Sequence, residues 1–546
     1  MAEVIELRPI PILPSSAPGT LATTLPGGRT DPALLTATAI YSFAELESQS
    51  RRAAIALARW GVRKGTHVGL LLPNGPDWLV LAWAVWRLGA VLVPLNTFWT
   101  GKELVYALQL ADVRILVATP RFLKNDYAAA LAAASIALDR KDACATLLPC
   151  LATIVWFPSA PTSTGLSWQG CQREPSEREQ MWLRALAENT SASEPAAIFF
   201  TSGSEAAPKA VVHSHASMLA AAAGIAERLG LERTDRVWAY LPWFFAGGLV
   251  AGVLAPWLAG AAVISQPVFE PGEAIALMER YEATTFFAWP HQAHAILKHP
   301  SFCRARLRLR KGPGAQADWA DALYGNDHHA VSTWGMTETG PMAATTAWSD
   351  PIHKRKSTHG RPLPGVEMKV LDPNTGVELP PGQEGELAVR GATLMLGYYK
   401  RRPRECFDSE GFFHTGDRAW IDDEGYLHFT GRIRDVVKVA GASVSPAEVE
   451  FVLAAYPGVR TAVVVGAADP ERGQRLVAFV VPEGDQHPSE PEVIAWCRER
   501  LATYKVPERV FFLTEHELPV LGSGKIHRQA LAHKAEQLVR RTDSSP

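Results

Sequence analysis

Residues 198–215, IFFTSGSEAAPKAVVHSH, join an apolar run to a polar loop. With Ala196 and Ala197, the first residues form a short apolar run that is typical of a buried strand. The run ends in Thr201-Ser202-Gly203-Ser204, and Pro208-Lys209 follows. Hydroxyls and N–H groups around a glycine turn can converge on phosphate oxygens, and a lysine adds a cation. The G-x-x-x-x-G-K-[ST] spacing of a Walker loop is absent, so this stretch alone indicates either another kind of phosphate loop or a polar surface loop.

Strand and helix patterns alternate on both sides of this stretch. Ser42 is a predicted N-cap for a helix that ends near Gly61, because apolar residues recur there at helical spacing. Strands are predicted at residues 68–72, 90–94, 115–118, 237–241 and 283–288, and helices at 77–88, 103–110 and 217–229. This alternation indicates an α/β domain with a largely parallel sheet.

The pattern changes after about residue 360. Gly and Pro turns separate short predicted strands at 367–371, 385–390 and 426–429, which indicates a β-rich subdomain. The residues after Asp435 carry their own helix and strand patterns and suffice for a small, mobile α+β domain. The sequence therefore predicts a loose N-terminal arm over residues 1–35, a large domain over 36–434 and a C-terminal domain over 435–546.

Composition places the chain among ordinary globular proteins. Of its 546 residues, 47% are hydrophobic and 20% are charged, and the net charge is -2. Nothing in that balance indicates binding to nucleic acid or to an anionic membrane. The six cysteines form no C-x-x-C pair, which favours reduced thiols, and the first residues lack the pattern of a signal peptide. We therefore expect a cytoplasmic protein.

Two apolar stretches resemble membrane spans in length. Residues 78–94 are interrupted by Arg87 and Gly89, and residues 241–264 contain Pro242, Pro256 and four glycines. These breaks favour a buried helix followed by a strand in the first stretch, and a turn, a helix and a strand in the second. We expect no integral membrane segment.

Five motifs along the chain resemble those of one enzyme superfamily. They are TSGSEAAPK at 201–209, STWGMTET at 332–339, HTGD at 414–417, GRIRDVVKVAGASVSPAEVE at 431–450 and GSGKIHRQAL at 522–531. In this order they resemble the adenylate-forming superfamily of acyl-CoA synthetases, adenylation domains and luciferases, from about residue 40 to 535. The resemblance implies an enzyme that joins a carboxylate to the α-phosphate of ATP, releases pyrophosphate and then passes the acyl group to a thiol.

The resemblance assigns phosphate and metal contacts to the first two motifs. Glu338 would engage Mg²⁺, a hard ion suited to carboxylate and phosphate oxygens. Thr337 beside it would contact the α-phosphate. The other nucleotide contacts that the resemblance implies here are Thr201, Ser202, Gly203, Ser204, Lys209, Trp334 and Gly335.

The remaining motifs imply ribose, adenine and catalytic contacts. Asp417 resembles the family aspartate that accepts hydrogen bonds from both ribose hydroxyls, as a carboxylate can do for a vicinal diol. Arg432 would be a second ribose or phosphate contact, and the loop with Gly312 and Gly314 would line the adenine. Lys525 lies in a Gly-Ser-Gly loop, and in the family such a lysine bridges the carboxylate and the α-phosphate during adenylation.

The resemblance also implies a hinge. Asp435 falls at the position about which the family rotates its small domain between the two half-reactions. In the rotated state Lys525 would leave, and the loop from Lys438 to Ser443 would arrive, with Gly441 in the passage for coenzyme A. A thiol would then attack the adenylate and release AMP.

Several positions depart from the family pattern. Glu205 and Ala206 replace the usual Thr-Gly pair of the phosphate loop, and Ala210 replaces its last glycine. A carboxylate near phosphates is unfavourable unless it points away or meets a cation, so Glu205 bears on ATP affinity. Trp334 stands where tyrosine is common and remains a flat aromatic that can stack or wall the pocket.

The acid is expected to bind beside the apolar stretch 241–264, which contains no charged residue. A free amino acid would need an acidic partner there, so a monocarboxylic acid with a hydrophobic body fits best. The same aromatic residues could equally be core. The expected acyl pocket consists of Trp243, Phe244, Phe245, Gly248 and Trp289.

These expectations define an AMP-forming carboxylic acid–CoA ligase of α/β fold that uses ATP, Mg²⁺ and coenzyme A. Its partners would be small molecules, and the sequence leaves a homodimer open. One rival is an acyl-AMP ligase that passes its adenylate to a carrier-protein thiol. Another is a non-catalytic member, suggested by Glu205 and Ala206, that binds acyl or nucleotide ligands without releasing pyrophosphate.

Overall fold

The structure is a computed structural model. It describes residues 19–136, 148–157, 166–168, 173–201, 208–433, 437–439, 442–444, 446–469, 473–484, 488–501, 505–520 and 526–543. The described chain divides into two compact units. The first is built from the ranges 1–368, 389–413 and 425–427, and the second from 369–388, 414–424 and 428–546. The mixed α/β architecture, with several sheets and a small C-terminal unit, confirms the predicted fold class.

The first unit contains an eight-stranded sheet. Its strands follow the spatial order Gly397–Tyr398, Lys209–Ser214, Pro195–Thr201, Val91–Pro94, His67–Leu71, Ile115–Ala118, Thr153–Trp156 and Leu166–Ser167. From Pro195–Thr201 onward all neighbours are parallel. The two strands at the other edge each run antiparallel to their neighbour. Parallel neighbours need crossover connections, which explains the helices between these strands.

The first unit also contains a seven-stranded sheet. Its order is His329–Val331, Lys311–Pro313, Thr285–Phe287, Arg236–Ala239, Ala262–Ile264, Pro32–Leu35 and Ile40–Ser42. All neighbours are parallel except the last pair. The predicted loose arm is therefore wrong for residues 19–35, because Leu34 pairs with Val263 in the sheet and Leu21 is buried in a short helix. Residues 1–18 lie outside the described residues.

The helices of the first unit cover these sheets. Ser42 caps the first long helix as predicted, since the Glu45 N–H donates to its hydroxyl at 3.2 Å and its own N–H donates to Glu45 at 2.7 Å. The helices are Leu21–Thr24, Phe43–Arg59, Pro76–Arg87, Gly101–Leu110, Tyr127–Ile136, Glu177–Glu188, His215–Leu229, Gly247–Leu254, Ala255–Leu258, Pro271–Arg280, Pro290–Lys298, Ala320–Tyr324 and Ile352–Ser357. Short 3₁₀ turns lie at Arg304–Arg306, Thr337–Thr339 and Pro403–Glu405.

The apolar stretch 241–264 is folded into the first unit as the predicted turn, helix and strand. Its helix has π geometry over Gly247–Leu254 and continues as an α-helix over Ala255–Leu258. The strand Ala262–Ile264 follows, fully buried. Over the described parts of the chain, no helix combines the length and the apolar character that crossing a membrane requires.

The described residues also form three smaller sheets before the C-terminal region. Thr333–Met336, Gly340–Thr345 and Arg361–Pro362 form an antiparallel three-stranded sheet, and Arg121–Phe122 pairs with Asn125–Asp126. A four-stranded sheet has the order Val366–Leu371, Gly385–Gly391, Phe413–Ile421 and Leu427–Arg432, which confirms the β-rich texture predicted after residue 360.

The second unit ends in an α+β fold. Its sheet has the order Ala442–Val444, Val437–Val439, Gly473–Pro482 and Val459–Asp469, with Arg509–Phe512 parallel to Gly473–Pro482. The helices are Pro446–Ala454, Glu490–Arg498 and Arg528–Asp543, with a 3₁₀ turn at Glu515–Glu517. The helix Pro446–Ala454 and the strands Val459–Asp469 and Gly473–Pro482 agree with the helix and strand patterns expected after Asp435. The boundary predicted at Asp435 stays a prediction, because that residue lies outside the described residues.

Candidate active site

The predicted phosphate loop connects two paired strand ends. Thr201 ends the strand Pro195–Thr201, and Lys209 begins the antiparallel strand Lys209–Ser214 directly opposite it. The backbones at both ends of the loop are therefore fixed by the same ladder of hydrogen bonds. Ser202, Gly203 and Ser204 lie outside the described residues.

The Lys209 ammonium lies over an aromatic ring. Its Nζ is 5.3 Å from the ring centroid of Tyr398, and the guanidinium carbon of Arg401 is 5.6 Å from the same centroid. Both distances fall within the range of cation–π attraction. Tyr398 reaches this position because its short strand pairs with Lys209–Ser214, where Val211 lies opposite Tyr398.

Glu338 is held by the same tyrosine. The Tyr398 hydroxyl donates to Glu338 Oε1 at 2.9 Å, and the glutamate is buried. Burial and the neighbouring carboxylate raise the pKa of Tyr398, so its hydroxyl keeps its proton. Among the described residues, no group donates a hydrogen bond to the other oxygen, Oε2. The contact of Glu338 with a metal ion stays a prediction.

The backbone of the turn Thr337–Thr339 is held at three successive carbonyls. The Thr337 carbonyl accepts from His213 Nε2 at 2.7 Å, that of Glu338 accepts from the Met395 N–H at 2.8 Å, and that of Thr339 accepts from the Thr393 hydroxyl at 2.6 Å. These donors come from two separate segments of the first unit. The position of the Glu338 side chain is therefore set by tertiary contacts and not by the turn alone.

His213 is a buried neutral imidazole. Desolvation lowers its pKa to about 4, and the hydrogen bond to the Thr337 carbonyl only partly opposes this. A carbonyl can only accept, so Nε2 carries the proton, while Nδ1 lies 3.1 Å from the Ser217 hydroxyl. The next histidine, His215, is similar: burial lowers its pKa to about 4, and its Nδ1 accepts from the Leu21 N–H at 3.2 Å.

Trp334 and Gly335 lie on the strand before Glu338. Trp334 is buried and opposite Ala344. A Cβ on Gly335 would come within 2.7 Å of the Pro341 carbonyl oxygen, so the adjacent strand excludes any side chain there. Packing within the protein therefore accounts for a buried ring at Trp334 and for the absence of a side chain at Gly335, and the contact of both residues with a nucleotide stays a prediction.

Gly312 and Gly314 lie at the carboxyl end of a parallel strand, where open α/β sheets usually bind ligands. Both have a positive φ, 140° and 102°. A Cβ on Gly314 would come within 2.7 Å of the Trp319 ring, and one on Gly312 would overlap the Phe286 carbonyl. The close approach that glycine permits here is therefore to the protein's own core.

The residues predicted for the acyl pocket divide into two groups. Phe244, Phe245 and Trp289 form a chain of rings, with centroids 4.5 Å apart for the two phenylalanines and 5.8 Å apart for Phe245 and Trp289. Trp243 is fully buried and packs 5.8 Å from Trp78, which is a core position. Gly248 leaves no room for a ligand at its Cβ position, because the carbonyls of residues 241 and 242 occupy it.

Asp417 and Arg432 come together in the second unit. Arg432 Nε lies 3.1 Å from Asp417 Oδ1, and the carboxylate is 6% exposed while the guanidinium is 45% exposed. The Asp417 N–H donates to Thr415 Oγ1 at 3.0 Å, and that hydroxyl donates to the Leu387 carbonyl at 2.7 Å. The strand thus fixes the aspartate, and the arginine partly neutralises it.

Other predicted site residues lie outside the described residues: Asp435, Gly441 and Lys525. The backbone of Lys438 lies in the strand Val437–Val439, opposite Ser443. Two residues that contact the predicted site had no role in the sequence prediction, namely Tyr398 and His213. Their partners are 60 and 124 residues away in sequence, and no local pattern signals such contacts.

The chain matches two family models. The model of the AMP-binding enzyme covers residues 26–399, and that of the AMP-binding enzyme C-terminal domain covers residues 448–525. The first match spans more than half of the chain, so the chain belongs to the AMP-binding enzyme family, in the acyl-CoA ligase branch of the adenylate-forming superfamily. It is an enzyme of the AMP-forming acid–CoA ligase class and uses ATP.

Relatives of this class cover most of the chain. The medium-chain fatty-acid–CoA ligase of Escherichia coli K12 is 31% identical over 512 residues, which are 90% of this chain and 85% of that protein. A feruloyl-CoA synthase of Amycolatopsis is 31% identical over 492 residues, 89% of this chain and 92% of that protein. The ATP-bound structure of MatB from Rhodopseudomonas palustris superposes with a TM-score of 0.77 at 27% identity and covers 93% of this chain and 96% of that one.

Proposed function

We propose that this enzyme activates a hydrophobic monocarboxylic acid as its acyl-adenylate and transfers the acyl group to coenzyme A, releasing pyrophosphate and AMP. The observation that carries the proposal is the pairing of Glu338 and Lys209 through Tyr398. A carboxylate suited to a cation and an ammonium suited to phosphates thus adjoin the same tyrosine within one compact unit, which supports the proposal. Charges held in place before the reaction stabilise a transferring phosphoryl group more effectively than mobile ones.

The residues present fit Mg²⁺. One oxygen of Glu338 is occupied by Tyr398, and the other receives no hydrogen bond from the described residues. No cluster of three His, Cys, Asp or Glu side chains occurs in the described part of the chain. A single carboxylate is the pattern of a Mg²⁺ site that phosphate oxygens and water complete. When bound, the ion would neutralise charge on the phosphates.

The other roles follow the family motifs. Thr201 and Lys209, with Ser202, Gly203 and Ser204, would bind the β- and γ-phosphates, and Thr337 the α-phosphate. Asp417 would accept hydrogen bonds from the ribose hydroxyls, with Arg432 beside it. The adenine would lie near Gly312, Gly314 and Trp334. Lys525 would act in adenylation, Lys438 and Gly441 would line the passage for coenzyme A, and Asp435 would be the hinge.

The hydrophobic substrate is supported by the ring chain of Phe244, Phe245 and Trp289. Phe245 and Trp289 are half-buried, so these rings retain surface that a ligand could cover. Trp243 and Gly248 would support these rings on the side away from the ligand. The residues from 241 to 264 supply no carboxylate that could hold an α-ammonium group.

The proposal is tested by pyrophosphate release from ATP and Mg²⁺ with a panel of acids, each with and without coenzyme A. 3-Phenylpropanoic acid and phenylalanine form a matched pair that differs only in the α-ammonium group. We expect turnover that depends on coenzyme A with the former and none with the latter. Release that stalls near one equivalent with coenzyme A present would point to a carrier-protein thiol as acceptor. Nucleotide binding without pyrophosphate release from any acid would contradict the proposal.

A further inference from the structure

Tyr398 touches two residues that the family motifs assign to the nucleotide, although it belongs to none of the five motifs. Its hydroxyl donates to Glu338 Oε1 at 2.9 Å, and its ring lies 5.3 Å below the Lys209 ammonium. One side chain thus connects the predicted metal carboxylate with the predicted phosphate cation. All three residues lie in the first unit.

The tyrosine itself is fixed. Its backbone pairs with Val211, and the N–H of the following residue, Tyr399, donates to the Ala210 carbonyl at 2.8 Å. The strand that carries Lys209 therefore also fixes the position of Tyr398. Since the Glu338 carbonyl is held by Met395 on the same segment, backbone and side chain of the glutamate are fixed by neighbouring residues of one stretch.

We propose that Tyr398 is a positioning residue for the metal–nucleotide complex: its hydroxyl orients Glu338 so that Oε2 meets the cation, and its ring holds Lys209 ready for the phosphates. The inference rests on the proposed function and adds a residue to it. The two parts of the side chain have separate tasks. The hydroxyl acts on the metal ion, and the ring acts on the phosphate cation.

The two tasks predict different effects for two substitutions. Tyr398→Phe keeps the ring and removes the hydroxyl, so only the metal dependence should change. A hydrogen bond to a charged group contributes about 1.5–3 kcal/mol, so we expect Mn²⁺ to bind at least about tenfold more weakly in the presence of α,β-methylene-ATP. Tyr398→Leu also removes the ring, so we expect severalfold weaker binding of the same nucleotide in EDTA, where Tyr398→Phe should match the wild type.

The neighbouring tyrosine supplies a matched control. The Tyr399 hydroxyl donates to Asp112 Oδ2 at 3.0 Å, so Tyr399→Phe removes an equivalent bond to a carboxylate one residue along the chain. A general loss of stability would affect both phenylalanine variants alike. We expect Tyr399→Phe to bind Mn²⁺ and nucleotide like the wild type.

The experiment measures free Mn²⁺ by electron paramagnetic resonance and nucleotide binding by calorimetry on the full chain, with kinetics as a second readout. In turnover, Tyr398→Phe should raise the KM for the metal–ATP complex and leave the KM for the acid unchanged. If Tyr398→Phe does not fold, Glu338→Gln tests the same pair from the other side, and it should weaken Mn²⁺ binding without changing nucleotide binding in EDTA.

The results separate this inference from the proposed function. Equal Mn²⁺ affinity in Tyr398→Phe and wild type, or equal loss in Tyr398→Phe and Tyr399→Phe, would overturn the positioning role even if the wild type releases pyrophosphate. A selective loss in Tyr398→Phe supports the role even if no acid in the panel is accepted. In a Glu338→Gln background, Tyr398→Phe should add no further loss, since the pair then acts as one unit.

Discussion

Because the imidazole of His213 is buried, we expect the stability of the first unit to fall as pH falls. The ordinary pKa of histidine is 6.5, and burial lowers that of His213 to about 4. Its surroundings are the Ser217 hydroxyl, the Thr337 carbonyl and the Phe199 ring. None of these is a carboxylate that would stabilise the charged form, so protonation favours the unfolded chain.

The loss of stability falls in a defined pH window. Above pH 6.5 the imidazole is neutral in both states and its contribution is complete. Between pH 6.5 and about 4 the unfolded chain binds the proton and the folded chain does not, so stability falls as pH falls. Below about 4 both states are protonated and the loss is complete. The difference between 6.5 and 4 corresponds to about 3 kcal/mol.

The assay compares wild type with His213→Gln by scanning calorimetry from pH 8 to pH 4.5. The variant loses the ring contacts and should melt lower at pH 8, but it has no imidazole to protonate. At about 2 °C per kcal/mol for a large unit, the transition temperatures should converge by roughly 5 °C toward acid. Both proteins carry the same carboxylates, so the effect of carboxylate titration cancels in the difference between their transition temperatures.

A second buried histidine extends the prediction. His215→Gln should converge as His213→Gln does, because burial also lowers the pKa of His215 to about 4. If the His213→Gln and wild-type curves stayed parallel down to pH 4.5, His213 would not be a buried neutral imidazole and the reasoning would fail.

Two more predictions concern paired positions. Gly248→Ala should destabilise the protein by about 1–3 kcal/mol and lower its transition temperature, because the new methyl group would overpack against the carbonyls of residues 241 and 242. Gly247→Ala should be neutral or stabilising, because its methyl group would meet only Leu241 Cδ1 at 3.8 Å. Similar shifts of both variants in scanning calorimetry would show that the two glycines are equivalent. Lys525→Ala should abolish pyrophosphate release yet spare thioester formation from a supplied acyl-adenylate. Gly441→Trp should spare pyrophosphate release and block thioester formation. Separate assays of the two half-reactions check this, and equal loss of both in either variant would contradict the roles assigned to Lys525 and Gly441.

The sequence predicted the elements whose signals are local. The N-cap Ser42 and the buried strands lie within a few residues of the pattern that indicates them. The strand Pro32–Leu35 could not be predicted in this way, because its parallel partner Ala262–Ile264 lies more than 200 residues further along the chain. Its Pro-rich surroundings look like a loose arm until that partner is known.

The candidate site shows the same limit. Glu338, Thr337 and Lys209 could be predicted as site residues because motifs keep such residues in a recognisable order. Tyr398 and His213 could not be found, because they act through contacts that only the folded chain brings together. Glycine was the least informative residue type. The sequence predicted ligand contacts at Gly248 and Gly312, and in the structure backbone atoms of the same unit occupy the Cβ position of both glycines.

Of the departures in the predicted phosphate loop, Ala210 is explained by packing, whereas Glu205 and Ala206 are expected to affect nucleotide binding more than folding. Thr201 and Lys209 are directly opposed, and Phe200 lies opposite Ala210, so strand pairing fixes both ends of the loop. Ala210 is buried in that ladder, where a methyl group fills core space that a glycine would leave. Glu205 and Ala206 come between these two ends in the sequence, and in the proposed phosphate loop a carboxylate there would raise the electrostatic cost of binding phosphates.

Replacing Glu205-Ala206 with Thr-Gly should therefore leave the transition temperature within about 1 °C of the wild type, because changes outside the packed strand ends are expected to alter stability by only about 0.5 kcal/mol. The same change should tighten binding of α,β-methylene-ATP severalfold at low ionic strength and less at high salt, since screening weakens the repulsion that Glu205 exerts. Gly248→Ala, which alters stability away from this loop, is the control for folding effects. A nucleotide affinity that did not change, or that changed equally at all salt concentrations, would mean that the Glu205 carboxylate points away from the phosphates.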